Sequence, residues 1–265
     1  MMIYKKYLAI LFAFAVCLGV QAQDKITTTS NMIGVGPTNV LDTYLTPEKY
    51  SGMELRVYSE SAWQKSGRRW SSLMINQGDV SYSKNRADNA KEITGMYNLM
   101  YGRIRDFSAE DSRLRIKAGI VGDMNIGVIY NTHQGNNPAQ ARCYLNVAPV
   151  ASAEYDFSLW NKMFTLRYTA GLPLLGLMFS PNYGQSYYEI FSLGNYDHNI
   201  VPTTVFSAPS YRHSLTLDIP VGGKTKLRVG YLGDYQQSEV NNLKSHIYSH
   251  LFMIGYVKRF TIVNL

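Results

Sequence analysis

From Arg113 to Tyr130 the chain alternates between two kinds of residue with a period of two. Odd positions carry Arg113, Arg115, Lys117, Gly119, Asp123, Asn125 and Gly127. Even positions carry Leu114, Ile116, Ala118, Ile120, Met124, Ile126, Val128 and Tyr130. Side chains on a strand alternate between two faces, so this period of two makes one face oily and the other charged. Strands of soluble domains run to about five or six residues. An alternation held across eighteen positions fits a wall between lipid and a polar lumen.

The first 22 residues have the organisation of a secretory signal: Lys5 and Lys6, an apolar run from Tyr7 to Val20, then Val20-Gln21-Ala22 as a small-residue cleavage site. The apolar run is about fourteen residues, shorter than the roughly twenty that a spanning helix needs. Cleavage after Ala22 is therefore the expectation, with the barrel domain covering 23–265. Cys17 follows Val16, a poor fit to the small residue of lipoprotein processing, so that route is set aside. Removing the signal leaves Cys143 as the only cysteine, read as a small apolar residue on a strand face.

Beyond the signal no apolar run approaches twenty residues. If the chain spans a membrane it must do so as a closed barrel, because lipid offers no partner to exposed backbone groups. The 21 tyrosines agree with this, since a tyrosine ring meets acyl chains while its hydroxyl meets water. The formal charge of +7 falls to +5 once Lys5 and Lys6 are removed. The remaining basic residues are spread singly along alternating segments, which excludes a nucleic-acid role.

Ten such segments follow one another: Ile26–Gly36, Met53–Trp63, Trp70–Ser83, Ile93–Phe107, Arg113–Tyr130, Arg142–Tyr155, Met163–Phe179, Thr204–Ile219, Lys226–Gln237 and Ser245–Phe260. Tight gaps at 65–69, 108–112, 160–162 and 222–224 alternate with longer ones at 37–52, 84–91, 131–141 and 181–202; only 240–244 is short among the second set. Outer-membrane barrels have short periplasmic turns and longer extracellular loops, with both chain ends on the periplasmic side. The expected fold is an all-β transmembrane antiparallel up-and-down barrel of about ten strands, with eight or twelve as alternatives. The last segment has the aromatic ending common in such barrels, although Lys258 breaks its oily face and Thr261 to Leu265 run past Phe260.

The stretch Asn31-Met32-Ile33-Gly34-Val35-Gly36-Pro37-Thr38-Asn39-Val40-Leu41-Asp42-Thr43-Tyr44-Leu45-Thr46-Pro47, followed by Tyr50, Gly52 and Leu55, resembles the N-terminal region of an uncharacterised outer-membrane family common among Bacteroides-type bacteria. The resemblance implies an outer-membrane barrel and supplies no activity or catalytic residue. Read physically, the stretch is a strand end followed by an ordered loop. Pro37 stops strand pairing, and Thr46-Pro47-Glu48 caps a short helical turn.

If the oily faces meet lipid, Glu54, Arg56, Glu60, Arg113, Arg115, Lys117, Asp123, Glu154, Arg167, Arg212, Asp218, Lys226, Arg228 and Asp234 face the interior. Two readings stay open. One is a core of paired charges, since buried charges must be paired. The other is a thin pore that prefers anions, because bases outnumber acids in this stripe. A third class, hydrolysis at the rim, directs attention to His213, His246 and His250 near Ser214, Ser245 and Ser249, but no nucleophile-elbow motif is present. No phosphate loop, zinc spacing or calcium loop appears, so no cofactor is expected and no activity is assigned. The 181–202 loop offers Tyr183, Tyr187, Tyr188 and Tyr196 as candidates for a surface protein or glycan, or as an aromatic belt with a solvated tip. Outer-membrane lipid and the barrel-assembly machinery are the other expected partners.

Overall fold

A computed structural model describes residues 25–262 except 110, 136 and 224. The expected signal peptide lies outside the described residues. Twelve strands follow in chain order: β1 (Lys25–Asp42), β2 (Thr46–Lys65), β3 (Trp70–Asn85), β4 (Lys91–Asp106), β5 (Leu114–Asn131), β6 (Ala139–Leu159), β7 (Lys162–Gly171), β8 (Leu175–Phe179), β9 (Ile200–Thr204), β10 (Tyr211–Gly222), β11 (Thr225–Val240) and β12 (Leu243–Ile262). All pairings are antiparallel, and β1 pairs with β12 from Lys25↔Ile262 to Asp42↔Ser245. The sheet therefore closes on itself, which leaves no long edge to be solvated.

Twelve strands make only ten staves around the wall. β7 and β8 both lie along β6, pairing with its two halves in turn. Between Gly171↔Val150 and Leu175↔Val147, four steps on one chain oppose three on the other. That is one inserted residue, at Pro173, and it inverts which parity faces outward. Leu166 and Tyr168 are exposed on the outside of β7, whereas Leu175 and Leu177 are exposed on the outside of β8. β9 and β10 form the second broken stave. Eight steps from Thr204 to Arg212 oppose four from Leu175 to Gly171, so about four residues near Phe206 loop out of the ladder.

The oily face of each strand is the outer one. Ile33, Val35, Leu55, Val57, Ile120, Ile126, Leu145 and Ile254 are all exposed there. Cys143 shares that face, unpaired and exposed. The alternation in β5 thus has the orientation the sequence implies, because no interior apolar surface is large enough to take both faces of ten staves.

Connections are shorter than the sequence suggests. β1 continues to Asp42 and β2 starts at Thr46, so the supposed loop and helical turn after Pro37 are a strand hairpin. Pro37 is tolerated because it stays in register with Met53, and the ladder to β12 simply skips from Val35↔Phe252 to Thr38↔Ser249. The gaps at 86–90 and 132–138 are also short, which removes most of the expected alternation in loop length. Asn241 and Asn242 close the last hairpin in two residues, both with positive φ (51° and 60°), as a primed turn requires. Only 180–199 is long. It holds one short helix, α1 (Tyr187–Phe191), capped by Ser186, whose hydroxyl accepts from the Glu189 amide while the Glu189 carboxylate accepts from the Ser186 amide. We call this the loop end of the barrel and the end holding Lys25 and Ile262 the terminal end.

Candidate functional site

The inward faces carry the chemistry, in three layers. Near mid-lumen the Arg56 guanidinium meets Glu54 at 2.7 Å, Asp234 at 2.6 Å and Asp79 at 3.3 Å. Arg212 reaches the same Asp234 at 3.1 Å and the Asn98 carbonyl oxygen at 3.0 Å. Asn98 in turn donates to Asp123 at 2.5 Å, and the Ser249 hydroxyl donates to Glu54. Arg56 comes from β2 and Asp234 from β11, while Arg212 comes from β10 and Asn98 from β4. These bonds therefore span the bore. Arg56 is only 2% exposed.

A second layer lies toward the terminal end. Arg167 of β7 crosses to Glu60 of β2 at 2.6 Å and comes within 3.5 Å of Glu154. Tyr58 donates to Glu60 at 2.8 Å. Arg228 grips Asp218 through two nitrogens, at 2.6 and 2.9 Å. Arg115 and Lys117 hold Glu154 at 3.2 and 3.3 Å, and Arg115 also pairs with Asp156.

A third layer sits near the loop end. Arg142 of β6 reaches the Ser245 hydroxyl of β12 and lies 3.8 Å from Asp42 of β1. Asn131 joins Glu92 at 3.0 Å to the Tyr50 hydroxyl at 2.9 Å. Tyr144 crosses from β6 to Gln236 of β11 at 3.1 Å. Apolar clusters fill between the layers: Val40, Tyr50, Met96 and Ile129 near the loop end, and Leu73, Ile75, Met100, Ile104 and Val121 on the β3–β6 side nearer the terminal end.

Of the residues expected inside, Glu54, Arg56, Asp123, Arg167, Arg212, Asp218, Arg228 and Asp234 are drawn into these networks. Arg115, Lys117 and Lys226 are also inward but only half buried. Arg113 is a correction: β5 begins at Leu114, and Arg113 is exposed in the preceding turn, where its carbonyl accepts from the Asp156 amide. The sequence reading overlooked Asp42, Asp79, Glu92, Asp156 and Arg142. Four acids and one base remove the basic excess that suggested anion preference. Asp79 was legible, since Gln77, Asp79, Ser81 and Ser83 hold one polar parity in β3. Asp42 was hidden because β1 runs six residues past its expected end.

The loop tyrosines divide. Tyr183, Tyr188 and Tyr196 are exposed at 74%, 64% and 64%. Tyr187 is spent on anchoring: its hydroxyl donates to Gln140 at 2.6 Å and accepts from the Ala141 amide, and its ring stacks on Phe191. Burial raises the Tyr187 hydroxyl well above the ordinary tyrosine range, with smaller contributions from Tyr44 and Asp42. The candidate histidines lie on the outer wall. His246 meets Asn39 at 2.8 Å, His250 meets Tyr231 at 2.6 Å, and His213 stacks on Tyr211. Among the described residues, none of the three bonds a serine.

A profile of the family described as "Protein of unknown function (DUF3316)" matches residues 6–265. No curated protein matches the chain. Among solved structures, the outer membrane protease OmpT from Escherichia coli is 8% identical, with a TM-score of 0.51 over 92% of this chain and 99% of that one. The beta domain of the Bordetella autotransporter BrkA is 14% identical, with a TM-score of 0.39 over 90% and 99%. An outer membrane channel from Pseudomonas putida F1 is 8% identical, with a TM-score of 0.37 over 91% and 97%. At 8% identity the likeness to OmpT speaks for the fold alone, a transmembrane antiparallel β-barrel.

Proposed function

With nearly its whole length matched, the chain belongs to the DUF3316 family of unknown function, and we propose that it serves there as a closed outer-membrane scaffold rather than an open pore. The observation that carries this reading is the set of bonds spanning the bore at three depths, from Arg56 to Asp234, Arg167 to Glu60 and Arg142 to Ser245. Ten staves enclose a lumen that side chains can fill, whereas sixteen to eighteen leave a water channel. A permeating ion would have to separate pairs that no bulk water replaces.

In this reading the chain crosses the inner membrane on a signal cleaved after Ala22 and is inserted by the barrel-assembly machinery. Its oily belt sits in outer-membrane lipid. The terminal end faces the periplasm and the 180–199 loop faces outward, where Tyr183, Tyr188 and Tyr196 offer contact to a surface protein or glycan. We read the chain as non-enzymatic, since the outer-wall histidines pair with tyrosines and an asparagine. The test is conductance of the purified protein in a planar bilayer. The expected result is no stepwise current across voltage and salt, and steady small steps would overturn the scaffold reading in favour of a narrow pore.

A further inference from the structure

Beyond the Arg167 layer the lumen widens into a cavity of about 410 Å³ that opens at the terminal end. That volume lies within the range of small-ligand pockets, roughly 300–1,000 Å³. Its two walls differ. On one, Ser30 of β1 and Lys226 of β11 share a register row on either side of Val257 in β12, with Arg259 one inward step nearer the opening. Across the cavity, Leu73 of β3 and Ile104 of β4 present an apolar surface.

The acids around the cavity are largely committed. Glu60, Glu154, Asp156 and Asp218 each hold an arginine, and the fifth lining acid, Asp106, accepts from the Ser108 amide. Lys226 bonds only the Thr165 hydroxyl, at 2.9 Å, and among the described residues no carboxylate pairs with Lys226 or Arg259. The Ser30 hydroxyl is buried at 2% exposure, lines the cavity and has no hydrogen-bond partner. An unsatisfied buried hydroxyl is costly unless something fills the space before it. Two cations with no direct carboxylate partner and a donor on one wall, facing a greasy wall, complement an anion with an aliphatic tail.

We propose that this vestibule binds the carboxylate of a short aliphatic acid. The head lies against Lys226, Arg259 and Ser30, and the chain lies against Leu73 and Ile104. The site is reached from the terminal end and requires no passage through the bore.

The test uses the full mature chain in lipid nanodiscs with methyl-labelled leucine, isoleucine and valine. Hexanoate is the probe, with acetate and hexylammonium as comparisons. Hexanoate should shift the Leu73, Ile104 and Val257 methyl signals saturably. Acetate should bind more than tenfold more weakly, because it lacks the methylenes that the apolar wall covers. Hexylammonium should give no saturable shift. Lys226→Gln and Arg259→Gln should each weaken hexanoate by about tenfold, the loss of one charge-assisted contact, with the remaining methyl spectrum unchanged. The proposal is overturned if hexanoate gives no saturable shift, if hexylammonium matches it, if acetate binds as tightly, or if both folded variants bind like the parent.

Discussion

The middle of the lumen and the vestibule at its terminal end are built from the same residues, arginines and carboxylates on alternate strand positions, yet they behave as different materials. Arg56 and Asp234 come from staves three apart around the ring, meet at 2.6 Å and have side chains 2% and 3% exposed. Arg115 and Glu154 sit on the neighbouring strands β5 and β6, lie 3.2 Å apart and are 33% and 15% exposed. Depth along the lumen decides the difference. A pair at mid-lumen is closed off from water on both sides, whereas a pair lining the open vestibule keeps one side wet. Desolvation then makes the central pair costly to break and the vestibule pair cheap.

Arg56→Met tests the contrast most severely. It strips Glu54, Asp79 and Asp234 of their shared cation, and we expect a loss of about 3–5 kcal/mol in urea unfolding from lipid vesicles. A loss under about 1 kcal/mol would show that the mid-lumen charges are solvated after all. Arg115→Ala in the same assay should cost no more than about 1 kcal/mol, since solvent screens its pairs and Lys117 still serves Glu154. Equal costs for the two variants would end the distinction between the regions.

The smallest effect is expected outside the bore. Bonds from the Ser186 amide and hydroxyl hold the Glu189 carboxyl below its ordinary value. A lowered carboxylate stabilises the folded form above its unfolded value, about 4.3, and that contribution disappears as pH falls through the lower folded value. The protection factor of the Ser186 amide should therefore fall at acid pH while amides of β5 stay protected. Loss of β5 protection at the same pH would mean that the loop and the wall unfold together.

Much of the fold was legible because the barrel wall obeys a strict local rule. The alternation in β5 identified the outer face of that strand, and the matching patterns in β2, β10 and β11 placed Glu54, Arg56, Arg212, Asp218, Arg228 and Asp234 inside. Strand ends were less legible. Polar residues occupy both faces where a strand leaves the oily belt, so nothing in the pattern marks Asp42 as the last residue of β1. The inserted residue at Pro173 was also hidden, because two strands of opposite parity read as one alternating segment, Met163–Phe179. Which charges meet was not legible at all. Pairing across a bore depends on stave geometry and side-chain length, and neither leaves a trace in spacing along the chain.

The bond between Arg56 and Asp234 joins residues 178 positions apart. Neighbouring hairpins form early, since their contacts are close in sequence and their loops cost little entropy to close. The distant pair becomes available only after β1 has met β12. Until that moment three carboxylates and a guanidinium must stay hydrated. The last act of assembly is therefore drying, and an incompletely zipped barrel carries a hydrated middle that the finished one has expelled.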